Sequence, residues 1–204
     1  ADIQEMAHQA VEITGDSAPA PAYFWRGAAR AKRGELRGVL NALFMADDLR
    51  EDLRHAVAAD SAYSNPYYVA GQLYQQLPGF PISFGDTGAA VSFSRRAVDL
   101  HDAAYAAGDV PLRYWDYYVR LAENLQSRGR SQQRRERRIS RMAGDYTAAG
   151  TPFERAMYYE SQADVSAQSD QEEAAELLQF VIDGIQSKNE RTLREERTIA
   201  DARE

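Results

Sequence analysis

The stretch YYVAGQLY, residues 67–74, and the stretch AAVSFSRRAVDL, residues 89–100, decide the fold class of this chain. The first places the small pair Ala70-Gly71 between aromatic residues, and the second carries alanines seven residues apart among good helix formers. Two helices can pack closely only where a small residue lets their backbones approach. The two stretches therefore predict a helix pair with small residues at its contact.

The seven-residue spacing of small residues recurs upstream of this pair. Gly27 is followed seven residues later by Gly34, five residues later by Val39 and seven residues later by Ala46. A repeated unit of two helices is the simplest source of such offsets. We expect Gly27 to face Val39, as Gly71 is expected to face Ala90.

A third copy begins at Tyr118 with a leucine–alanine pair at Leu121-Ala122 and then departs from the pattern. The offsets that carry small residues in the other copies fall here on Arg134 and Arg141. We therefore expect the second helix of this copy to pack through other residues, namely Ile139, Met142 and Ala143.

Proline and glycine positions divide the rest of the chain into helices, and strand signals are nearly absent. We predict an all-α fold of about nine helices, an antiparallel helix-hairpin array coiled as a right-handed solenoid. We expect a break in the third helix near Asp47-Asp48, a helix opened by Pro111, and another running from Pro152 to Gln168. The single domain, 1–204, divides into repeats at 19–60, 64–107 with an inserted loop at 78–84, and 110–149, then a degenerate repeat and C-terminal capping helix at 151–204.

An insertion interrupts the second repeat within residues 77–84, LPGFPISF. Two prolines exclude a helix there, yet Phe80, Ile82 and Phe84 are too apolar for a solvated loop. Either the loop folds back onto the core, or part of it forms a surface for a partner or ligand. The exposure of Phe80 and Phe84 distinguishes the two.

Composition and motifs argue against catalysis and against several kinds of site. The formal net charge of −7 disfavours a general nucleic-acid binder, and there is no cysteine. His8, His55 and His101 have no histidine three or four residues away, so a helical metal site is not expected. Neither a nucleophile elbow nor a phosphate-binding glycine loop appears. No stretch of the sequence is apolar enough for a membrane span. We expect a non-enzymatic protein without cofactor or metal.

The segment from Arg128 to Arg141 holds seven arginines and one acid, Glu136. It is either a patch for phosphate, anionic lipid or an acidic partner, or a helix face whose arginines pair with acids of a neighbouring helix. The acidic balance of the whole chain favours the second interpretation.

Helix phase suggests which side chains line a concave binding face of the array. Tyr114 and Tyr117 are candidates because tyrosines offer a large contact area with a polar tip. With the loop phenylalanines, the candidate binding residues are Tyr23, Arg26, Arg30, Tyr67, Gln72, Gln75, Phe80, Phe84, Tyr114 and Tyr117.

The spacing resembles tetratricopeptide repeats over residues 20 to 148. A sharper resemblance lies in Asn65-Pro66, then residues 71–74 and the loop 77–86. These resemble the helical-repeat T component associated with tripartite ATP-independent periplasmic (TRAP) transporters. This resemblance implies an exported, often lipid-anchored protein that binds a periplasmic solute-binding protein and can form homo-oligomeric rings.

Location and function follow as expectations from this resemblance. A sequence that starts at Ala1 is compatible with a removed leader and a lipid anchor, so we expect a periplasmic or membrane-anchored exported protein, with the cytoplasm as the alternative. We expect a protein–protein interaction scaffold. The alternative is a small-molecule binder with an apolar cavity or pore.

Overall fold

The computed structural model describes residues 3–36, 39–164, 168–188 and 191–203, and these form α-helices and no strand. The ten α-helices are α1 Ile3–Thr14, α2 Ala20–Leu36, α3 Val39–Ala59, α4 Ser64–Gln76, α5 Thr87–Ala107, α6 Trp115–Arg128, α7 Gln132–Ala148, α8 Pro152–Ala156, α9 Asp170–Gln186 and α10 Leu193–Asp201. Short 3₁₀ segments cover Gly15–Ser17 and Tyr159–Gln162. The prediction of an all-α chain is confirmed.

Two predicted helix limits are wrong. Helix α3 continues without a break through Asp47-Asp48, because both aspartates face solvent while Leu49 and Leu53 fill the core. Helix α6 begins at Trp115 and not at Pro111. The backbone N–H of Tyr114 donates to Nε2 of His101 at 2.8 Å, which holds the chain before α6 in an irregular conformation.

The helix predicted from Pro152 to Gln168 is also wrong. Helix α8 has five residues and is followed by the 3₁₀ segment. The backbone N–H of Glu160 donates to Oγ of Ser92 at 3.3 Å, which directs this segment into the protein. The Thr151–Glu154 capping box that starts α8 is confirmed.

Small residues lie at the contact between α4 and α5, as expected. A Cβ on Gly71 would overlap Oγ of Ser94 and would come within 3.2 Å of the carbonyl oxygen of Ala90. Gly71 therefore faces Ala90. In the preceding pair, a Cβ on Gly27 would come within 2.9 Å of Cβ of Asp52, on α3. The expected contact with Val39 falls on a side chain outside the described ones.

From α2 to α5, helices that follow each other in the sequence form packed pairs. From α6 onward, helices also pack on partners that are distant in the sequence. Helix α2 packs along α3 and α4 along α5, whereas α6 packs against α5 and α9. Carbon Cζ2 of Trp115 lies 2.9 Å from where a Cβ on Gly184 of α9 would be, so this glycine admits the indole ring. Helix α7 packs on α8 and on the 3₁₀ segment, so the described residues do not form the α6–α7 hairpin predicted for 110–149.

The core runs through these pairs, with Leu53, Tyr67, Phe93, Leu121 and Ile185 among its fully buried side chains. Among the described helices, none has both the length and the apolarity needed to cross a bilayer.

Candidate interaction surfaces

The inserted loop is held in one conformation by backbone hydrogen bonds. The N–H of Gly85 donates to the carbonyl of Pro78 at 3.0 Å, and the N–H of Asp86 donates to that of Tyr74 at 3.0 Å. Across the tip, the N–H of Ile82 donates to the carbonyl of Gly79 at 3.1 Å. A Cβ on Gly85 would overlap the backbone of Leu77, so the base of the loop closes only with glycine there.

The side chains of the loop divide between the core and solvent. Phe84 is half-buried: its ring lies 5.1 Å from that of Tyr74, and the guanidinium of Arg50 lies 4.0 Å above it. Phe80 is 94% exposed and Ile82 is 74% exposed. The loop therefore packs on the core through Phe84 and leaves Phe80 and Ile82 exposed. We call Phe80 and Ile82 the apolar knob.

A cavity of about 390 Å³ opens beside the apolar knob. Its wall combines apolar and charged groups from α3, α4, the loop and the α8 region, including Arg50, Arg54, Tyr74, Phe84, Phe153 and Met157. Burial raises the pKa of Tyr74 although Arg50 opposes the shift, so this phenol stays protonated and can donate. Asp86 and Glu154 also line the cavity, so the region offers a protruding apolar contact next to a recess of mixed charge.

Three predicted binding tyrosines lie inside the fold. The hydroxyl of Tyr23 donates to the carbonyl of Gly15 at 2.9 Å, and that of Tyr67 donates to the carbonyl of Ser61 at 3.0 Å. Burial raises the pKa of Tyr67 to about 12. Tyr117 is buried and its hydroxyl donates to Asn65. Internal hydrogen bonds occupy all three hydroxyls, and the contact proposed below does not use these residues.

Arg26 and Arg30 share one buried acid. Nε of Arg26 donates to Oδ1 of Asp52 at 2.8 Å, and Nη1 of Arg30 donates to Oδ2 at 3.2 Å. Asp52 is 1% exposed, so its charge needs both partners. The two arginines serve the contact between α2 and α3.

The remaining predicted residues lie nearer the surface. Gln75 donates to Ser127, and Gln72, with its amide oxygen turned toward Arg120, accepts from that guanidinium at 3.1 Å. Tyr114 is 37% exposed and stacks on the ring of His101 with centroids 4.6 Å apart. Of the ten candidates, Phe80 and Phe84 line one open recess together, and the ring centroids of Tyr114 and Tyr117 lie 5.9 Å apart.

Sequence reasoning did not predict a buried ion-pair cluster that joins five elements. Nη2 of Arg128 donates to Oε1 of Glu160 and to Oδ1 of Asp170, each at 2.7 Å, and all three side chains are at most 1% exposed. Nη1 of Arg95 lies 2.7 Å from Oε1 of Glu173. The cluster comprises three arginines and three acids: Arg95, Arg128, Arg135, Glu160, Asp170 and Glu173.

The charges of this cluster compensate one another. Burial acts to raise the pKa of Glu160, but hydrogen bonds and charge from Arg128, with Arg95 and Arg135, hold it below its usual value. The same balance lowers the pKa of Glu173. Arg128 and Arg135 do pair with acids, but both arginines are buried and not on a solvated face, and the acids lie in the 3₁₀ segment and on α9. The acids lie 25 to 42 residues from these arginines, and no sequence spacing signals such a contact.

Comparison with known proteins adds no relative. No family model, curated protein or solved structure matches this chain.

Proposed function

We propose that this protein is a non-catalytic scaffold whose paired helices form a tetratricopeptide-like array and whose inserted loop binds a protein partner. The observation that carries the proposal is the apolar knob, with Phe80 94% exposed at the tip of a hydrogen-bonded loop. Large apolar side chains that protrude from a rigid support are typical contacts for a partner surface.

The energetics favour such a contact. Burying a Phe or Ile side chain contributes roughly 1.5–3 kcal/mol each. The loop already has its backbone hydrogen bonds and its Phe84 anchor, so little further ordering is needed on binding. The cavity beside the knob can receive a side chain of the partner, and its wall offers both cations, Arg50 and Arg54, and acids, Asp86 and Glu154.

The partner class follows from the resemblance to the TRAP-associated T component. We propose an exported protein whose partner is a periplasmic solute-binding protein, with self-association as an additional property. A cytoplasmic scaffold is the alternative location. Neither version calls for a cofactor.

The test uses a knob variant that carries both Phe80→Ser and Ile82→Ser. The control variant carries Leu193→Ser. Leu193 is also strongly exposed, at 77%, but lies on α10 away from the loop. Affinity capture from the native organism followed by binding measurements on the purified partner should show at least about tenfold weaker binding for the knob variant. The control should bind like the original chain. Equal binding by the knob variant would sink the proposal.

A second candidate function is the binding of a small apolar molecule. A cavity of about 150 Å³ lies between α2, α3 and α4, lined by Ala31, Met45, Leu49, Val69 and Leu73. Enclosed apolar cavities of this volume bind benzene; this one is partly open, and Gln72 and Gln76 complete its wall. Chemical shifts of the lining methyl groups should change on benzene addition and should stay unchanged in a Val69→Phe variant, which fills the space. No shift in the original chain contradicts this function.

A further inference from the structure

Four arginines of α7 form a continuous exposed stripe that the buried cluster does not use. Arg134, Arg137, Arg138 and Arg141 are all exposed, and their spacing of three and four residues places them on one face of the helix. Within the part of the chain that the structure describes, none of the four belongs to an ion pair. We call this set the arginine stripe.

The stripe is fixed in place by the opposite side of the same helix. Arg135 is 2% exposed and pairs with Glu160, Asp170 and Glu173, and Met142 is 2% exposed in the core. Helix α7 therefore has a defined rotation about its axis. The charged side chains of the stripe face outward because the inner face is already occupied.

The arrangement opposes the stability of the helix itself. Like charges three and four residues apart repel each other. Arg134 lies in the first turn, where the helix dipole disfavours a cation, and α7 has neither an acid in its first turn nor a base in its last turn. Burial and repulsion from Arg128 and Arg138 lower the pKa of Arg130, before α7, although Glu160 and Asp170 oppose the shift. The uncompensated positive charge on the outer face is complementary to an anionic ligand.

We propose that the arginine stripe binds an acidic helical segment of a partner protein, with Asp or Glu side chains at the same spacing of three and four residues. This surface lies on α7 and is separate from the apolar knob. Guanidinium groups bind carboxylates through two parallel hydrogen bonds, which suits a stripe made of arginine without lysine.

Other anionic ligands fit less well. A membrane-surface helix needs large apolar side chains beside its cations, whereas exposed residues around the stripe include Gln133, Glu136 and Ser140. A nucleic acid extends far beyond one helix and would meet a chain with a net charge of −7. A short acidic helix contacts the stripe alone.

The test uses two labelled helical peptides of about 16 residues with the same composition. One peptide places its glutamates along one face at spacings of three and four, and the other distributes them around the helix. Fluorescence anisotropy at low salt should show at least about tenfold tighter binding of the one-faced peptide. Equal affinity for the two peptides, or no binding, would overturn the proposal.

Two protein variants locate the contact. A stripe variant changes Arg134, Arg137, Arg138 and Arg141 to Gln, and a charge-matched control changes Arg155, Arg191, Arg197 and Arg203 to Gln. All eight positions are exposed, so both variants should keep the helical circular dichroism of the original chain. The stripe variant should bind the one-faced peptide at least about tenfold more weakly, and the control within about twofold. Equal loss in both variants would show a nonspecific charge effect and overturn the assignment.

Further measurements distinguish the acidic segment from other possible ligands of the stripe. Tighter stripe-dependent binding to phosphatidylserine vesicles or to duplex RNA than to the one-faced peptide would replace the acidic segment with a lipid or nucleic-acid ligand. Self-association that the stripe variant abolishes in sedimentation would assign the surface to a second copy. The knob variant should bind the one-faced peptide normally, so failure of either proposal is recognised independently of the other.

Discussion

At the scale of single residues, one glycine sets the distance between α4 and α5. Gly71 faces Ala90 and Ser94, and Ser94 accepts a hydrogen bond at 2.8 Å from the buried side chain of Asn124 on α6. Helices α4, α5 and α6 therefore come together at Gly71, where the absence of a side chain leaves room for Ser94. Ser94 is 1% exposed and cannot rotate away without losing its bond to Asn124.

Gly71→Ala should destabilise the protein by roughly 1–3 kcal/mol, because the added methyl group would overlap Oγ of Ser94. Gly144→Ala on α7 is the matched control: a Cβ there meets nothing within 4 Å, and alanine should stabilise the exposed helix by roughly 0.5–1 kcal/mol. Urea unfolding followed by circular dichroism measures both free energies. A neutral Gly71→Ala would contradict the close packing of α4 on α5.

At the scale of the element, α7 is held by ions more than by apolar contacts. Arg135 and Met142 are its only fully buried side chains among the described residues. A helix with so small an apolar face packs on the body of the protein through charge pairs, and its outer face is free to carry the arginine stripe. Within this one helix, Arg135 serves the buried cluster, while Arg134, Arg137, Arg138 and Arg141 remain exposed.

Arg134→Glu should stabilise α7 while weakening the proposed contact. The change removes repulsion with Arg137 and Arg138 and places an acid in the first turn, which together contribute about 0.3–1 kcal/mol. Arg141→Glu is the control, because it relieves similar repulsion but lies beyond the first turn. Thermal unfolding should show a larger gain for Arg134→Glu, and the one-faced peptide should bind both variants more weakly. A gain in peptide affinity would contradict the role of the stripe.

At the scale of the whole molecule, the buried ion-pair cluster joins the first and second halves of the chain. Arg95 belongs to α5, Arg128 to α6 and Arg135 to α7, while Glu160 lies in the 3₁₀ segment and Glu173 on α9. Removing one partner of a buried pair typically costs about 3–5 kcal/mol, a large part of the stability of a domain. The cluster therefore stabilises the whole fold and not a single helix contact.

Low pH should weaken the stabilisation that the buried ion-pair cluster provides. The folded-state pKa values of Glu160 and Glu173 lie below the ordinary 4.5, so their stabilisation is complete above that pH and is lost as the pH falls through the lowered values. Burial lowers the pKa of His101 from 6.5, so protonation of this ring adds a loss of stability that begins below pH 6.5. We expect the free energy of unfolding to decline gently below pH 6.5 and steeply below about pH 4.5.

Glu160→Gln separates the two parts of this profile. The variant should be less stable at pH 7, because it leaves buried arginines undercompensated, and its decline below pH 4.5 should be shallower than that of the original chain. Glu136→Gln on the exposed side of α7 removes the same charge and should keep the original profile. Urea titrations from pH 7 to pH 3 provide the measurement, and an unchanged acid limb in Glu160→Gln would refute the role of the cluster.

The sequence by itself determined the helical class, most helix ends and the contact of Gly71 with Ala90, because these depend on interactions between residues close in the chain. Proline, glycine and capping residues determine where a helix begins or ends through contacts within one helical turn. A glycine in a helix lets another helix pack closely against it, whichever helix that is. The same local reasoning located the inserted loop and showed that Phe80, Ile82 and Phe84 are unusually apolar for a loop.

Only the tertiary structure decided how the second half assembles and which arginines are free. The pairing of α6 with α9 and the position of Glu160 beside Arg128 bring together residues distant in the sequence. Neighbouring arginines in one helix look alike in a sequence, yet Arg135 is buried and Arg134 is exposed. The difference arises because burying a charge is stable only where an opposite charge is already in place, and that place exists only after the chain has folded.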